Sequence, residues 1–275
     1  MPELPEVEVT RQGIDPCLRG ARVIAVRVGK PLRRPLGCDE ERLVGAAVGP
    51  VGRRGKYLWL PLLGPSGDGG LLVHLGMSGS LAWLEAAAPA GPHDHFDLHT
   101  DQGTLRLTDP RRFGAVVWSR ALDAEPAATM LASLGPEPFD PALTALSFHA
   151  ALERRRTPIK AVLLGGEAVV GAGNIYACEA LFVAGIDPRT RSDRISRPRA
   201  ARLLAALRPT LARALELGGS TLRDFRDVHG ADGEYQASAQ VYGREHAPCL
   251  RCGTTVRRVV QAQRSSFYCP SCQRR

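Results

Sequence analysis

Four cysteines near the C-terminus carry the most specific chemistry in this 275-residue chain. They read Cys249-x2-Cys252-x16-Cys269-x2-Cys272, a spacing at which two knuckles bring four thiolates around one tetrahedral zinc ion. Four thiolates leave no open coordination position, so the metal predicted here is a single structural zinc. Two disulfides are the competing reading. It is the weaker one, because the N-terminal residues do not read as a secretory leader and cytosolic thiols stay reduced. Between the knuckles, residues 257–267 hold Arg257, Arg258 and Arg264 and are expected to form a hairpin held rigidly against a partner. Cys17, Cys38 and Cys178 stand alone and read as ordinary small side chains. Gly171-Ala-Gly-Asn174 precedes an apolar helical run, an arrangement in which backbone N–H groups and an amide can approach a phosphate. His93-Asp-His95 shows no third ligand and is assigned no metal.

The charge distribution points the same way. Lysine and arginine number 36 against 28 acidic residues, a net +8. Residues 1–149 hold 15 basic and 17 acidic side chains, and residues 150–275 hold 21 and 11, so the second half carries +10 and the first −2. A basic half joined to a near-neutral half predicts a module that binds a polyanion. With 44% apolar and 23% charged residues the chain is neither a disordered tail nor a membrane protein, and no apolar run reaches the roughly 18 residues of a spanning helix. The opening residues are acidic and broken by proline where a leader would be basic and then apolar, so a cytoplasmic location is expected.

The elements that must hold these groups fall into two textures, which predict an α+β protein of two domains. Between residues 20 and 120, segments such as 22–28, 57–60, 71–75 and 114–118 mix β-branched, leucine and aromatic residues between glycine and proline, and predict a β-sandwich or barrel. A helix leads them: Pro5 suits its first turn, Glu6 and Glu8 suit its positive end, and it is expected to stop between Gly13 and Pro16. From residue 142 the pattern turns helical over 142–156, 175–183 and 198–217, broken at Gly165-Gly166 and Gly171-Ala-Gly173. The boundaries predicted are a domain at 1–135, a linker at 136–141, a helical domain at 142–230, a loop and connector at 231–248, and the cysteine unit at 249–275.

The opening Met1-Pro-Glu-Leu-Pro-Glu-Val-Glu8, joined to a four-cysteine unit at the far end, resembles the formamidopyrimidine-DNA glycosylase family, bacterial enzymes that remove oxidised purines from DNA. Similar blocks follow in order: Arg53-Arg-Gly-Lys-Tyr57, His74-Leu-Gly-Met-Ser-Gly79, Thr108-Asp-Pro-Arg-Arg-Phe-Gly114, Gly171-Ala-Gly-Asn-Ile-Tyr-Ala177 and Gln240-Val-Tyr-Gly-Arg244. The resemblance implies an N-terminal β-sandwich with a leading helix, a helical domain with a helix-two-turns-helix element, and a zinc ribbon. It also implies a bifunctional glycosylase and lyase acting as a monomer on damaged double-stranded DNA.

That resemblance gives the N-terminus its chemistry. Pro2 is small enough for Met1 to be removed, leaving a secondary amine as nucleophile. A terminal amine ionises at about 7.7–8.0, far below a lysine, and the helix N-terminus further disfavours its cation. Glu3 is cast as proton donor to the sugar ring oxygen, Glu6 as holding the amine, and Lys56 as gripping a phosphate and assisting catalysis. Met77, Arg111 and Phe113 would fill the void left by an everted base. Asn174, Arg264 and His74 would contact phosphates. Lys160, one of only three lysines, reads as structural or phosphate-facing. One stretch departs from the family: where a loop after Gly218-Gly-Ser-Thr-Leu222 usually ends in Gly-Tyr-Phe, this chain has Gly230-Ala-Asp-Gly-Glu-Tyr-Gln236, acidic at Glu234. Two other functions compete. Enzymes resembling endonuclease VIII, for oxidised pyrimidines, usually open Met-Pro-Glu-Gly-Pro, whereas Leu4 stands here; a non-catalytic damage-binding protein would not need Pro2 and Glu3.

Overall fold

The computed structural model describes residues 2–86, 88–220, 228 and 230–275. Met1, whose removal the sequence suggests, and Thr221-Leu222, which precede the atypical loop at 230–236, lie outside the described residues. The chain divides into two compact units: residues 1–132 with 217–234, and residues 133–216 with 235–275. Residues 217–234, which the sequence shares between the helical domain and a connector, therefore cluster with the first unit.

Helix α1 (Leu4–Leu18) opens the first unit. Leu4, Val7, Ile14 and Leu18 are buried along it, and the Glu3 N–H donates to Glu6 Oε2 at 2.8 Å, closing the first turn. The helix runs beyond the expected stop between Gly13 and Pro16. Pro16 forfeits its own hydrogen bond, but the Asp15 carboxylate accepts the Val51 N–H at 2.8 Å and pairs with Arg19, and burial of Ile14 and Leu18 carries the helix to its end. The chain then reverses at Gly20, φ +80°.

Two antiparallel sheets follow. One has the order β1 (Val23–Val28), β7 (Asp94–Thr100), β8 (Thr104–Thr108), β6 (Ser80–Leu84). The other has the order β2 (Ala47–Val48), β4 (Tyr57–Leu63), β5 (Gly69–His74), β9 (Ala115–Ser119), with β3 (Gly52–Arg54) also paired to β4. Leu58, Leu60 and Leu62 of β4 are buried while Tyr57 and Trp59 are half-exposed, the period of two of a strand with one covered face. One core joins Leu58, Leu60, Leu71, Val73 and Val116 of this sheet, Leu81, Phe96, Leu98, Leu105 and Leu107 of the other, and Val7, Ile14 and Leu18 of α1. That is a β-sandwich with a leading helix. A short helix α2 (Ala127–Leu131) closes the first stretch.

The second unit holds α3 (Ala145–Glu153), α4 (Ile159–Gly165), α5 (Asn174–Val183) and α6 (Arg197–Glu216). Thr144 starts α3 by accepting the Ser147 N–H at 3.1 Å, three residues later than the sequence suggests. Gly166, φ +77°, ends α4. Helix α6 buries Ala200, Leu203, Leu204, Leu207, Leu211 and Ala214, a helical period on an otherwise arginine-rich helix. The hairpin β10 (Arg257–Gln261) and β11 (Arg264–Tyr268) turns through Ala262 and Gln263, both at positive φ. Phe182 and Cys178 of α5 pack with Val241, Cys249, Val256 and Cys269, fastening the cysteine unit to that helix. Among the described residues no helix is long and apolar enough to cross a membrane.

Leu60 sits in the centre of the sandwich core, fully covered. Leu60→Ala is expected to destabilise the first unit by about 2–5 kcal/mol in urea unfolding, whereas Ile24→Ala, at a side chain 57% exposed, should change it by about 0.5 kcal/mol or less.

Candidate functional site

In the first unit the N-terminal residues are held in place by a carboxylate. Pro2 and Glu3 are buried, and so is Glu6, 1% exposed. Glu6 Oε2 accepts the Glu3 N–H, and Oε1 accepts the Ser220 N–H at 2.8 Å. The close approach needs Gly219, φ +83°, where a Cβ would stand 3.0 Å from Glu6 Oε1. Glu6 thus ties the start of α1 to the segment that enters the atypical loop. At the loop's far side the Glu234 N–H donates to Leu217 O at 2.9 Å, so the acidic departure is anchored through its backbone.

Lys56 sits in the turn between β3 and β4. Arg53 braces that turn: its Nε–H donates to Glu8 Oε2 of α1 at 2.8 Å, and its Nη1–H to Gly55 O at 3.0 Å, with Gly55 at φ +58°. On the next strand Tyr57 pairs with His74, their rings 4.7 Å apart. His74 Nδ1 accepts the Gly76 N–H at 3.1 Å, which leaves the ring proton on Nε2. Burial, aided by the positive charges of Lys56 and Arg33, pushes the His74 pKa down to about 4, so the ring stays neutral and presents a donor.

Met77, Arg111 and Phe113 come from two abutting loops, residues 75–79 and 109–114. Their backbones touch: a Cβ on Gly76, φ +65°, would lie 2.5 Å from Gly114 N and from the Phe113 carbonyl carbon. Met77 is half-buried; Arg111 and Phe113 are exposed, with the guanidinium 5.1 Å from the centre of the Phe113 ring. A phenyl ring 43% exposed on a loop does not serve the core.

In the second unit Asn174 is the first residue of α5, with Gly171 at φ +98° in the turn before it. Its Nδ2 donates to the Tyr242 hydroxyl at 3.3 Å, while its buried Oδ1 has no hydrogen-bond partner among the described residues. Arg264 opens β11, one residue beyond the hairpin turn. The Sγ atoms of Cys249, Cys252, Cys269 and Cys272 all lie within 4.8 Å of one another, with Cys252–Cys269 at 3.5 Å and Cys249–Cys272 at 4.0 Å. Those gaps are far beyond a disulfide bond and close to the ~3.8 Å edge of a zinc–sulfur tetrahedron. The Arg251 N–H approaches Cys249 Sγ at 3.4 Å and the Cys272 N–H approaches Cys269 Sγ at 3.5 Å, donors suited to thiolates. The residues therefore fit one structural zinc ion. They are the only group of metal-ligand type among the described residues, and His93 and His95 do not join one.

Lys160, left open between two roles by the sequence, is fully buried, its Nζ donating to Ser265 O and Ser266 Oγ at 2.8 Å each. It supports the strand that begins with Arg264. Cys178 is inert: burial raises its pKa to about 11. Sequence reasoning passed over Asp109 and Glu179, and read Glu8 only as charge suited to the positive end of the helix. Glu179, 2% exposed, accepts the N–H groups of Gln240, Val241 and Tyr242 at 2.8, 3.0 and 2.8 Å. Its signal was present, since it is the one acid in the apolar run Asn174–Val183, and a lone charge there demands partners.

A family model described as the formamidopyrimidine-DNA glycosylase N-terminal domain matches residues 1–116, and one described as that enzyme's H2TH domain matches residues 134–226. A third, a zinc finger found in FPG and IleRS, matches residues 248–275. The chain belongs to the formamidopyrimidine-DNA glycosylase family. Curated relatives named formamidopyrimidine-DNA glycosylase include those of Albidiferax ferrireducens, 56% identical, and Variovorax paradoxus, 57% identical, each covering 100% of both chains. Among solved structures, the MutM (Fpg) protein of Thermus thermophilus is 39% identical over 99% of this chain and 98% of that one, with a TM-score of 0.88. A Lactococcus lactis FPG mutant in complex with Fapy-dG-containing DNA is 30% identical over 100% of both chains, TM-score 0.91.

Two outcomes follow from this geometry. All three tryptophans, Trp59, Trp83 and Trp118, lie in the first unit. Stripping the zinc or substituting Cys249→Ser should therefore weaken duplex-DNA binding while leaving the tryptophan-detected urea transition in place; a shifted transition would mean the metal supports both units. Because the folded His74 takes up its proton near pH 4 and the unfolded one near 6.5, its NMR ring resonances should stay those of a neutral tautomer from pH 8 to 5. The unfolded chain binds that proton first, so this residue's contribution to stability falls as pH drops from about 6.5 toward 4.

Proposed function

We propose that this chain is a bifunctional DNA glycosylase and abasic-site lyase of base excision repair, removing oxidised purines such as 8-oxoguanine and formamidopyrimidines. The observation that carries the proposal is Pro2 at the start of a buried, carboxylate-anchored helix N-terminus, in a chain whose full-length relatives at 50–57% identity bear the formamidopyrimidine name. The endonuclease VIII-like alternative finds no support in those relatives, and Leu4 stands against it. A non-catalytic damage binder would not need Pro2 and Glu3, both of which are present.

In this reading Met1 is absent from the working enzyme, and the Pro2 secondary amine attacks C1′ of the damaged nucleotide. The base departs as the sugar ring opens, with Glu3 protonating the ring oxygen, and an iminium joins Pro2 to C1′. Loss of a C2′ proton then expels the 3′ phosphate, a second elimination expels the 5′ phosphate, and water releases the sugar remnant from proline. Lys56 and neutral His74, braced by Arg53 and by the Gly76 amide, donate to phosphates beside the lesion. Met77, Arg111 and Phe113 occupy the space the base has left. Asn174 and Arg264 grip further phosphates, in keeping with the +10 carried by residues 150–275. The zinc holds the Arg264 hairpin and takes no part in the chemistry. Such an enzyme works on chromosomal DNA in the cytoplasm, as a monomer.

The reading is tested at its first atom. Retaining Met1, or adding any residue before Pro2, turns the nucleophile into an amide without a free lone pair, and strand cleavage at a preformed abasic site should vanish. Glu3→Gln should slow base release far more than cleavage at that abasic site, where no base remains to be expelled. Arg264→Ala should weaken binding to all duplexes and reduce the slope of log K against log salt by about one. Cleavage that survives an N-terminal extension would refute the proline mechanism.

A further inference from the structure

Asp109 takes no part in the steps above, yet it is completely buried beneath the loops that carry Met77, Arg111 and Phe113. Its carboxylate gathers three donors. Oδ1 accepts the Ser78 hydroxyl at 2.6 Å and the Arg111 N–H at 3.3 Å, and Oδ2 accepts the Gly114 N–H at 2.7 Å. The Arg111 N–H is shared with Ser78 Oγ, also at 3.3 Å. Asp109 is itself anchored, its N–H donating to His93 O at 2.9 Å and its carbonyl accepting the Arg112 N–H at 3.1 Å. One side chain therefore stitches residues 75–79 to residues 109–114.

We propose that Asp109 is the positioning residue of the void-filling group, setting both how readily the damaged base is evicted and how strictly the base opposite it is read. The proposal rests on the function given above. Arg111 and Phe113 are exposed, so no core packing fixes them; their placement is inherited from the backbone underneath. That backbone is strained, with non-glycine Arg112 at φ 55° between the two working residues. The Gly114 and Arg111 N–H groups, one on each side of Arg112, both end on the Asp109 carboxylate, and this holds the turn in its unfavourable conformation. Ser78, next to Met77, brings the third working side chain under the same control. A planar guanidinium that must meet a base edge tolerates little displacement, so loosening this carboxylate costs discrimination before it costs stability of the sandwich.

The bonding pattern also dictates which variants restore it. Asparagine keeps one acceptor for Gly114 and presents an amide N–H that the Ser78 hydroxyl can accept, losing only the bond from the Arg111 N–H, which keeps Ser78 Oγ as its acceptor, so Asp109→Asn retains two of the three arms. Asp109→Ala removes it, and Ser78→Ala cuts the arm to Met77 together with the second acceptor of the Arg111 N–H. The experiment compares single-turnover cleavage of duplexes carrying either 8-oxoguanine or a preformed abasic site, each opposite cytosine or adenine. Asp109→Ala should lose roughly tenfold or more on the 8-oxoguanine duplex and much of its preference for the opposite base, with abasic-site cleavage within about threefold of the parent. Asp109→Asn should recover most of the loss. Should Asp109→Ala fail to fold, Ser78→Ala carries the same comparison with a smaller loss. An equal fall on both duplexes, unaltered base discrimination, or no recovery by asparagine overturns the proposal. Failure of the parent protein to cleave the abasic duplex would instead overturn the function it rests on.

Discussion

Two peptide N–H groups 217 residues apart in sequence, at Glu3 and Ser220, end on the single buried carboxylate of Glu6. A carboxylate taken out of water is tolerable only when its lone pairs are occupied and a positive potential faces it. The N-terminus of α1 supplies that potential and the two amides fill the oxygens. The consequence is that Pro2, the nucleophile of the proposed mechanism, is held beside a fixed backbone rather than left to wander as chain ends usually do. The same bond fixes Ser220, so the start of α1 and the chain at Gly219-Ser220 share one reference.

The device recurs. Asp109 holds the two loops that bear Met77, Arg111 and Phe113, and Glu179 holds the Gln240–Tyr242 backbone whose tyrosine hydroxyl receives the Asn174 amide. Each carboxylate is nearly inaccessible and each bonds main-chain N–H groups of a loop that carries working side chains. Burial raises the Glu179 pKa, and the three backbone amides, which favour the ionised form, offset part of that rise. Lys160 is the cationic counterpart, its ammonium spent on the strand behind Arg264. The residues proposed to meet DNA sit on loops or at element ends, and buried charges give those segments the rigidity that core packing gives strands.

Much of this was legible in the residues. The cysteine spacing specified the zinc site; the leucine and aromatic mix of 57–60 specified a strand; the helix-forming stretch 198–217 specified a helix. The end of α1 was misjudged because Pro16 and Gly13 are local signals, while Asp15 bonding to Val51 is a long-range one that no window contains. The grouping of residues 217–234 with the first unit escaped for the same reason, since the Glu6–Ser220 bond spans most of the chain. Asp109, within the Thr108–Gly114 block, and Glu8, read only for the helix end, were not legible as supporting residues because their bonds to Gly114 and Arg53 join segments that no local window contains.

The central claim is that the reactive atom is the Pro2 nitrogen. Its most direct test is to reduce the reaction with borohydride during turnover on 8-oxoguanine duplex and to locate the DNA remnant by peptide mass spectrometry. With proline as the nucleophile, the remnant is expected on an N-terminal peptide beginning at Pro2, with Lys56→Ala slowing its formation without moving it. A remnant on Lys56 or another lysine would contradict the account, as would free base released with no adduct at all.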